Sequence, residues 1–196
     1  MSKYEGLITD YLETLKKTID LLDKAKISQA LDRLCTALED ESNIFIFGNG
    51  GSAATASHFQ NDFNKGISEY TEKKFRFLCL NDNIASVLAI ANDISFEEIF
   101  RFQLEGRLKP GDVVIAISGS GNSKNVLRAA KYAKSLGNTL ITLTGFDGGK
   151  LRKLADIDLH ADVNSMQITE DIHMIFDHLM MAVLYKTLAG KEHMKA

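Results

Sequence analysis

Residues 44–59, IFIFGNGGSAATASHF, join an apolar run to a glycine-rich turn and then to small residues that suit a helix. The run at 44–47 predicts a buried strand, and residues 53–63 predict the helix that follows it. Glycines let a ligand approach the backbone closely, and a helix N-terminus offers free N–H groups and a favourable dipole to an anion. This stretch therefore predicts an α/β fold with an anion site at the end of its first strand.

The rest of the chain repeats the alternation of strand and helix. The predicted strands are residues 44–47, 75–80, 113–117, 139–143 and 157–160, and the helices between them are 53–63, 85–91 with 96–105, 124–135 and 150–154. Apolar residues at helical spacing add two helices within residues 4–40 and a last one at 168–188. Strands that alternate with helices indicate a parallel sheet covered on both faces. We therefore predict a three-layer α/β sandwich with a five-stranded parallel sheet and an N-terminal helical extension.

Composition limits the classes of protein that fit. A chain of 196 residues with 45% hydrophobic content predicts one domain, 1–196, with a helical segment at 1–40 and an α/β core at 41–190. The net charge of −3 and the lack of a Lys/Arg block argue against a nucleic-acid surface. No apolar run approaches the about 18 residues of a membrane span, and the acidic, polar N-terminus is unlike a signal peptide. Cys79 lies in an apolar run, where a buried reduced thiol is expected, so we expect a cytoplasmic protein.

A second glycine- and serine-rich loop, SGSGNS at residues 118–123, follows the predicted third strand and opens a helix. A phosphate monoester takes several donors at once, and this loop supplies backbone N–H groups and serine hydroxyls. Turn formation and helix capping explain a single loop of this kind, but two at the strand ends of one parallel sheet favour a phosphate ligand. Neither loop matches the P-loop or the dinucleotide fingerprint, so nucleotide binding is disfavoured.

Titratable side chains that could do chemistry lie on two predicted helices. His58 and Asp62 are four residues apart and so lie roughly 40° apart on one helix face. They could be two zinc ligands, a base with its orienting partner, or a helix-surface pair, and the surface pair is the commonest of these. Glu170 and His178 are roughly 80° apart and about 12 Å apart along the last helix. His173 points about 140° away from His178, so the spacing does not place both in one narrow site.

Four motifs together resemble the sugar isomerase (SIS) family. They read FGNGGSAATASHF, AIANDISFEEIF, KPGDVVIAISGSGNSKNVL and TLTGFDGGKL, and the resemblance runs over residues 4–188. Within the family, the sequence resembles the phosphoheptose isomerases. The resemblance implies the SIS fold and an aldose–ketose isomerase that converts sedoheptulose 7-phosphate to a heptose 7-phosphate through an enediol. It also implies a homotetramer.

The resemblance also implies roles for individual residues. Asp62 and His178 are the expected catalytic pair, and a divalent metal, most plausibly zinc, is expected to bind to His58, Asp62, Glu170 and His178. His173 is expected to be structural, paired with Glu170 or Asp177 on the helix surface. The expected substrate-binding residues lie in the two loops, on the helices that follow them and near residue 92. They are Asn49, Gly50, Gly51, Ser52, Asp62, Asn92, Asp93, Ser118, Gly119, Ser120, Ser123 and Glu170.

Three positions depart from the family pattern. Asp62 stands where the family has glutamate, Glu170 where it has glutamine, and Gly119 where threonine is more usual. An aspartate carboxylate lies about 1.5 Å further back, a displacement that can cost on the order of 10²-fold in rate. Two alternatives therefore stand beside the phosphoheptose isomerase. One is a non-catalytic SIS protein that binds a phosphosugar or serves in assembly, and the other is an isomerase of a different ketose phosphate.

Overall fold

The computed structural model describes residues 3–188, so the predicted end of the core at residue 190 lies outside the described residues. Helices and strands alternate along most of the chain. The elements are α1 (Glu5–Asp20), α2 (Lys24–Glu39), β1 (Ile44–Phe47), α3 (Gly51–Asn61), β2 (Phe77–Cys79), α4 (Ile84–Asp93), α5 (Arg101–Leu104), β3 (Val113–Ser118), α6 (Lys124–Ser135), β4 (Thr139–Thr144), α7 (Gly149–Arg152), β5 (Ile157–His160) and α8 (Met166–Leu188).

The five strands form one parallel sheet in the order β2-β1-β3-β4-β5. In the register of the sheet, Phe45 of β1 lies between Leu78 of β2 and Val114 of β3. The predicted five-stranded parallel sheet is confirmed. The strand order reverses direction at β1, because the chain leaves it for β2 on one side and returns as β3 on the other. In an open α/β sheet, ligands bind at this switch point, outside the carboxyl ends of the two strands.

Alternate residues of β1 face two separate cores. Ile44 and Ile46 pack into a core that includes side chains of α2, α3 and α8, whereas Phe45 and Phe47 pack into one that includes α4, α5, α6 and α7. Successive side chains of a strand point to opposite faces, so a continuous apolar run serves both layers. The predicted three-layer arrangement is confirmed.

The structure differs most from the prediction in three elements. The second strand is shorter than expected, and the predicted helix 96–105 divides into a 3₁₀ turn at Phe96–Glu98 and the short α5. The predicted helix 53–63 ends its α-helical part at Asn61 and continues as a π-helix over Asp62–Ile67. The Phe63 ring in this segment lies 4.6 Å from the Phe77 ring, centroid to centroid. Packing against β2 therefore accompanies the change of helix type.

The N-terminal helix α1 packs against α8 and leaves a second apolar face outside. Leu7, Ile8 and Leu12 on that face are 65%, 57% and 49% exposed. The Tyr11 hydroxyl donates a hydrogen bond to the Asp171 carboxylate, which ties α1 to α8. In the part of the chain that the structure describes, no helix combines the length and apolar character needed to cross a membrane.

Candidate active site

A cleft of about 300 Å³ lies between the loops that follow β1 and β3, at the switch point of the sheet. Both loops and the start of α8 contribute to it. The lining residues are Asn49, Gly50, Gly51, Ser52, Ile117, Ser118, Gly119, Ser120, Ser123, Met166 and Glu170. The structure thus brings most of the predicted substrate-binding residues together in one place.

Side-chain amides hold the two loops in position. Asn49 and Asn125 exchange two hydrogen bonds, each amide nitrogen donating to the other's oxygen, at 2.9 and 2.8 Å. Asn81, which follows β2, accepts from the Gly48 N–H at 3.2 Å and donates to the Gly48 carbonyl at 2.9 Å. The sequence reasoning missed Asn125 and Asn81. A local signal could have found them, because Asn81 lies two residues after β2 and Asn125 lies in the first turn of α6, positions where side-chain amides bind backbone groups.

The serine-rich loop presents its hydroxyls to the cleft. The Ser118 hydroxyl donates to the Ser123 oxygen at 3.2 Å, and Ser123 makes no side-chain capping bond to α6. Gly121 has a positive φ of 62°, and a Cβ there would lie 2.0 Å from the Gly148 carbonyl oxygen. Only glycine fits that position, so the loop stays close to the segment after β4. The hydroxyls and the start of α6 together suit a phosphate group.

Glu170 reaches the opposite side of this cleft. Its carboxylate packs on Gly51, the first residue of α3, so closely that a Cβ at Gly51 would lie 2.3 Å from Oε1. A carboxylate is stabilised at a helix N-terminus by the free N–H groups and the helix dipole. Glu170 therefore belongs to the cleft, next to the glycine-rich loop.

A second group of polar side chains lies further along the same two helices. One ligand atom from each of His58, Asp62, Asp177 and His178 lies within 4.8 Å of all the others. The Nε2 atom of His58 is 3.1 Å from Nε2 of His178, 3.5 Å from Oδ2 of Asp62 and 4.0 Å from Oδ2 of Asp177. Such a cluster of imidazoles and carboxylates can hold a metal ion or transfer protons.

Asp177 is the most unusual member of this group. It is fully buried, and neither of its carboxylate oxygens has a hydrogen-bond partner among the described residues. Burial, with a further contribution from the nearby Asp62 charge, raises its pKa to about 8. Within residues 3–188, neither Asp62 nor Asp177 forms an ion pair with a lysine or an arginine. A divalent cation would neutralise both carboxylates, so the residues present fit a metal ion.

The structure places the predicted site residues in two neighbouring groups. His58, Asp62 and His178 come together as expected. Glu170 differs from the prediction, because it lies in the cleft and is not a member of the His/Asp group, whose fourth member is Asp177. Asp62 is the first residue of the π-helix, a helix type that often occurs at functional sites.

Three other predicted positions lie outside both groups. Asn92 and Asp93 are exposed at the end of α4, where the Asn92 amide donates to the Asp93 carboxylate at 2.8 Å, and they do not line the cleft. The predicted surface pairing of His173 is wrong. His173 is fully buried, and its Nε2 donates to the Thr144 carbonyl at 3.2 Å, because the side chain points from α8 into the sheet.

A larger cavity of about 680 Å³ lies beside β2 and α4. Its lining includes Cys79, whose pKa burial raises to about 12, so the thiol is protonated at neutral pH and is a poor nucleophile. The smaller cleft is the better candidate, because it lies at the switch point and combines two anion-binding loops with the nearby His/Asp group.

Comparison with known proteins identifies the family of the chain. The SIS domain model matches residues 3–145. The chain is 38% identical to a probable phosphoheptose isomerase of Thermoplasma acidophilum over 89% of this chain and 95% of that protein. It is 36% identical to the phosphoheptose isomerase of Helicobacter pylori over 91% and 92% of the two chains.

Among solved structures, the phosphoheptose isomerase of Neisseria gonorrhoeae superposes with a TM-score of 0.83 at 28% identity, covering 92% of this chain and 96% of that one. The fold, the two glycine-rich loops and the relatives at 36–38% identity all point to the same family. The chain therefore belongs to the SIS domain family, and these two sequence relatives are named as a probable phosphoheptose isomerase and a phosphoheptose isomerase.

Proposed function

We propose that this protein is a phosphosugar aldose–ketose isomerase that converts sedoheptulose 7-phosphate to a heptose 7-phosphate through an enediol. The observation that carries the proposal is a pairing of two sites on the same two helices. An anion-binding cleft lies at the start of α3 and α8, and a His/Asp group lies about two turns further along both helices. The relatives named phosphoheptose isomerase support the choice of substrate.

In this proposal the phosphate binds to the serine-rich loop. Ser118, Ser120 and Ser123 donate hydroxyl hydrogen bonds, and Gly119 lets the backbone approach the ligand. The sugar then extends past Asn49, Gly50, Gly51 and Ser52 toward Glu170, all of which line the same cleft. Asn92 and Asp93 remain predicted sugar contacts, although they do not line the cleft of their own chain.

The isomerisation itself needs a base and a polarised carbonyl. A proton leaves C1 of the ketose and one returns to C2, while the hydroxyl proton moves from O1 to O2. Asp62 and His178 are the proposed acid–base groups, with Asp62 taking the carbon-bound proton through a carboxylate oxygen that does not hold the cation. A divalent cation, most plausibly zinc, held at this group would polarise the substrate carbonyl. His58 would be a ligand rather than a base.

A non-catalytic phosphosugar-binding protein is the second candidate. Such a protein needs the cleft but has no use for two histidines and two buried carboxylates beside it. The Asp62 and Glu170 departures support a third possibility, an isomerase of a different ketose phosphate, because both residues lie at the sites that would contact the sugar. The substrate panel below distinguishes these candidates.

We further propose that the protein is a cytoplasmic homo-oligomer, a tetramer by resemblance. The exposed apolar face of α1, which includes Leu7, Ile8 and Leu12, supports an oligomer, because contiguous exposed apolar patches mark interaction surfaces. Light scattering at micromolar concentration should give a multiple of the 21.7 kDa chain mass. A monomeric mass would contradict the proposal.

The experiment that tests the activity is a panel of ketose phosphates of different chain length, with and without added Zn²⁺. We expect sedoheptulose 7-phosphate to be converted fastest, and the double variant His58→Ala with His178→Ala to be inactive in the same assay. Faster conversion of another ketose phosphate would mean that this compound, and not sedoheptulose 7-phosphate, is the substrate. Binding of phosphosugars without conversion of any of them would favour the non-catalytic candidate.

A further inference from the structure

Among residues 3–188, no lysine or arginine pairs with the buried carboxylate of Asp177, and Nε2 of His58 lies 4.0 Å from its Oδ2. Its oxygens lack hydrogen-bond partners among the described residues, and the side chain has no contact with solvent. An ionised carboxylate that is buried without a partner costs several kcal/mol unless it takes up a proton or binds a cation. The nearest groups are Asp62, which repels it, and the imidazoles of His58 and His178. A cation held among these groups would compensate the charge of both carboxylates.

Helix geometry decides which acidic residue of α8 can reach that cation. Glu170 and Asp177 are seven residues apart, so they lie within roughly 20° of each other on one face and about 10.5 Å apart along the axis. Gly51 and His58 have the same relation on α3. Because Glu170 contacts Gly51 while Asp177 lies 4.0 Å from His58, the two helices run side by side in the same direction. Glu170 is thus two turns away from the His/Asp group.

The donor atoms lie close enough together to share a small ion, although the distance from His58 to Asp177 is longer than a bound zinc ion would give. Two ligands about 2.0–2.1 Å from zinc at a tetrahedral angle lie roughly 3.3 Å apart. The three distances from His58 Nε2 to the other members are 3.1, 3.5 and 4.0 Å. Two imidazoles and two carboxylates neutralise a divalent ion and suit zinc or cobalt rather than magnesium or calcium, which prefer oxygen ligands.

We propose that Asp177 is a ligand of the divalent cation in this protein, completing a site with His58, Asp62 and His178, and that Glu170 is not a ligand. This inference rests on the proposed function and deepens it, because it assigns Glu170 to the sugar end of the cleft. The charge that Glu170 carries then acts on the substrate and on the start of α3, and the charge of Asp177 acts on the cation.

Two isosteric substitutions separate the roles of the acidic residues. Zinc affinity is measured by competition with a chromophoric chelator for the wild type, Asp177→Asn and Glu170→Gln. Loss of a hydrogen-bond partner outside the ligand set already costs about 10- to 100-fold in metal affinity, so loss of a ligand should cost about 100-fold or more. We expect that loss in Asp177→Asn and less than about 3-fold change in Glu170→Gln. The reverse pattern would overturn the proposal.

A third variant gives a positive signal that does not depend on affinity. In Asp177→Cys, a thiolate at the site should produce a sulfur-to-metal charge-transfer band with Co²⁺, because thiolates are strong ligands of such ions. Glu170→Cys is the matched control and should give no such band. Circular dichroism of each metal-free variant checks folding. A band in Glu170→Cys and none in a folded Asp177→Cys would contradict the assignment.

Isomerase assays on the same preparations keep the inference separate from the proposed function. A wild type that isomerises sedoheptulose 7-phosphate but binds neither Zn²⁺ nor Co²⁺ would overturn the inference and leave the proposed function standing. A wild type that binds one ion per chain through Asp177 but isomerises none of the sugars would support the inference and count against the proposed function.

Discussion

The Nε2 atoms of His58 and His178 lie 3.1 Å apart, although 120 positions separate the two residues in the chain. The imidazole planes are inclined by 69°, so both nitrogens point to a common region without stacking of the rings. A hydrogen bond between them requires one N–H donor and one bare acceptor nitrogen. A metal ion between the two nitrogens would bind both of them at once, because a neutral imidazole binds a metal through the lone pair of its ring nitrogen.

Removal of these two imidazoles should abolish both metal binding and isomerisation. We expect the double variant His58→Ala with His178→Ala to lose at least about 100-fold in kcat, the scale of general acid–base catalysis. Elemental analysis of untagged protein should find zinc in the wild type and little in the variant. His160→Gln, which changes a histidine outside both groups, serves as the control and should retain activity. Full activity in a metal-free double variant would refute both roles.

The serine-rich loop should account for much of the phosphate affinity. Ser118→Ala, Ser120→Ala and Ser123→Ala should each weaken phosphosugar binding by roughly 1.5–3 kcal/mol, because each removes a hydrogen bond to a charged oxygen. Calorimetry measures the affinity. Ser135→Ala, which removes a hydroxyl from the exposed end of α6, should leave binding unchanged. If the triple serine variant bound the ligand normally, the phosphate would have to lie elsewhere.

A single methyl group at Gly51 should move Glu170 without unfolding the protein. Gly51 has no positive φ, so alanine fits the backbone, but its Cβ would lie 2.3 to 2.7 Å from the Glu170 carboxylate atoms. The carboxylate is the end of a flexible side chain and can shift. We expect a loss of roughly 10- to 100-fold in kcat/KM, the scale of a misplacement of about 1 Å, with zinc affinity unchanged.

The control for this variant is Gly6→Ala on α1, where a Cβ would meet nothing within 4 Å. That substitution should raise stability by up to about 1 kcal/mol, because alanine favours helix over glycine, and should leave kinetics unchanged. Unchanged kinetics in Gly51→Ala as well would mean that Glu170 does not act on the substrate.

The buried His173 should make the protein sensitive to mild acid. Burial lowers its pKa to about 4, whereas the unfolded chain has an ordinary histidine pKa of about 6.5. The stability that neutral His173 contributes is therefore present above pH 6.5 and is lost as the pH falls toward 4, by up to roughly 3 kcal/mol. In His173→Gln, whose amide can still donate to the Thr144 carbonyl, this loss should disappear.

Urea unfolding at neutral pH and near pH 4.5 measures the effect in both proteins. Other groups, including His160, whose burial also lowers its pKa, are present in both proteins, so the difference reports on His173 together with its electrostatic interaction with His160. An equal loss of stability in the wild type and in His173→Gln would contradict the assignment.

Sequence patterns predicted the buried strands well, because their pattern is local. The bounds of β1 and β5 match the predicted residues, and so do those of α6. In β2 the apolar run was longer than the strand, since Phe75 and Leu80 are buried without belonging to it. Apolar residues in a sequence indicate which side chains are buried, but they do not show which residues pair in the sheet. In the same way, the apolar pattern around Phe63 did not show that α3 continues as a π-helix that packs against β2.

The sequence by itself determined the order of strands and helices, the two loops at strand ends, and the face that His58 shares with Asp62. Periodicity settles such relations because they lie within a single element. Only the tertiary structure decided that Asp177, not Glu170, lies beside His58. The two acidic residues share one face of α8, and their partners depend on how far α8 is offset along α3. That offset follows from the packing of both helices on the sheet, between residues more than a hundred positions apart, and no local pattern records it.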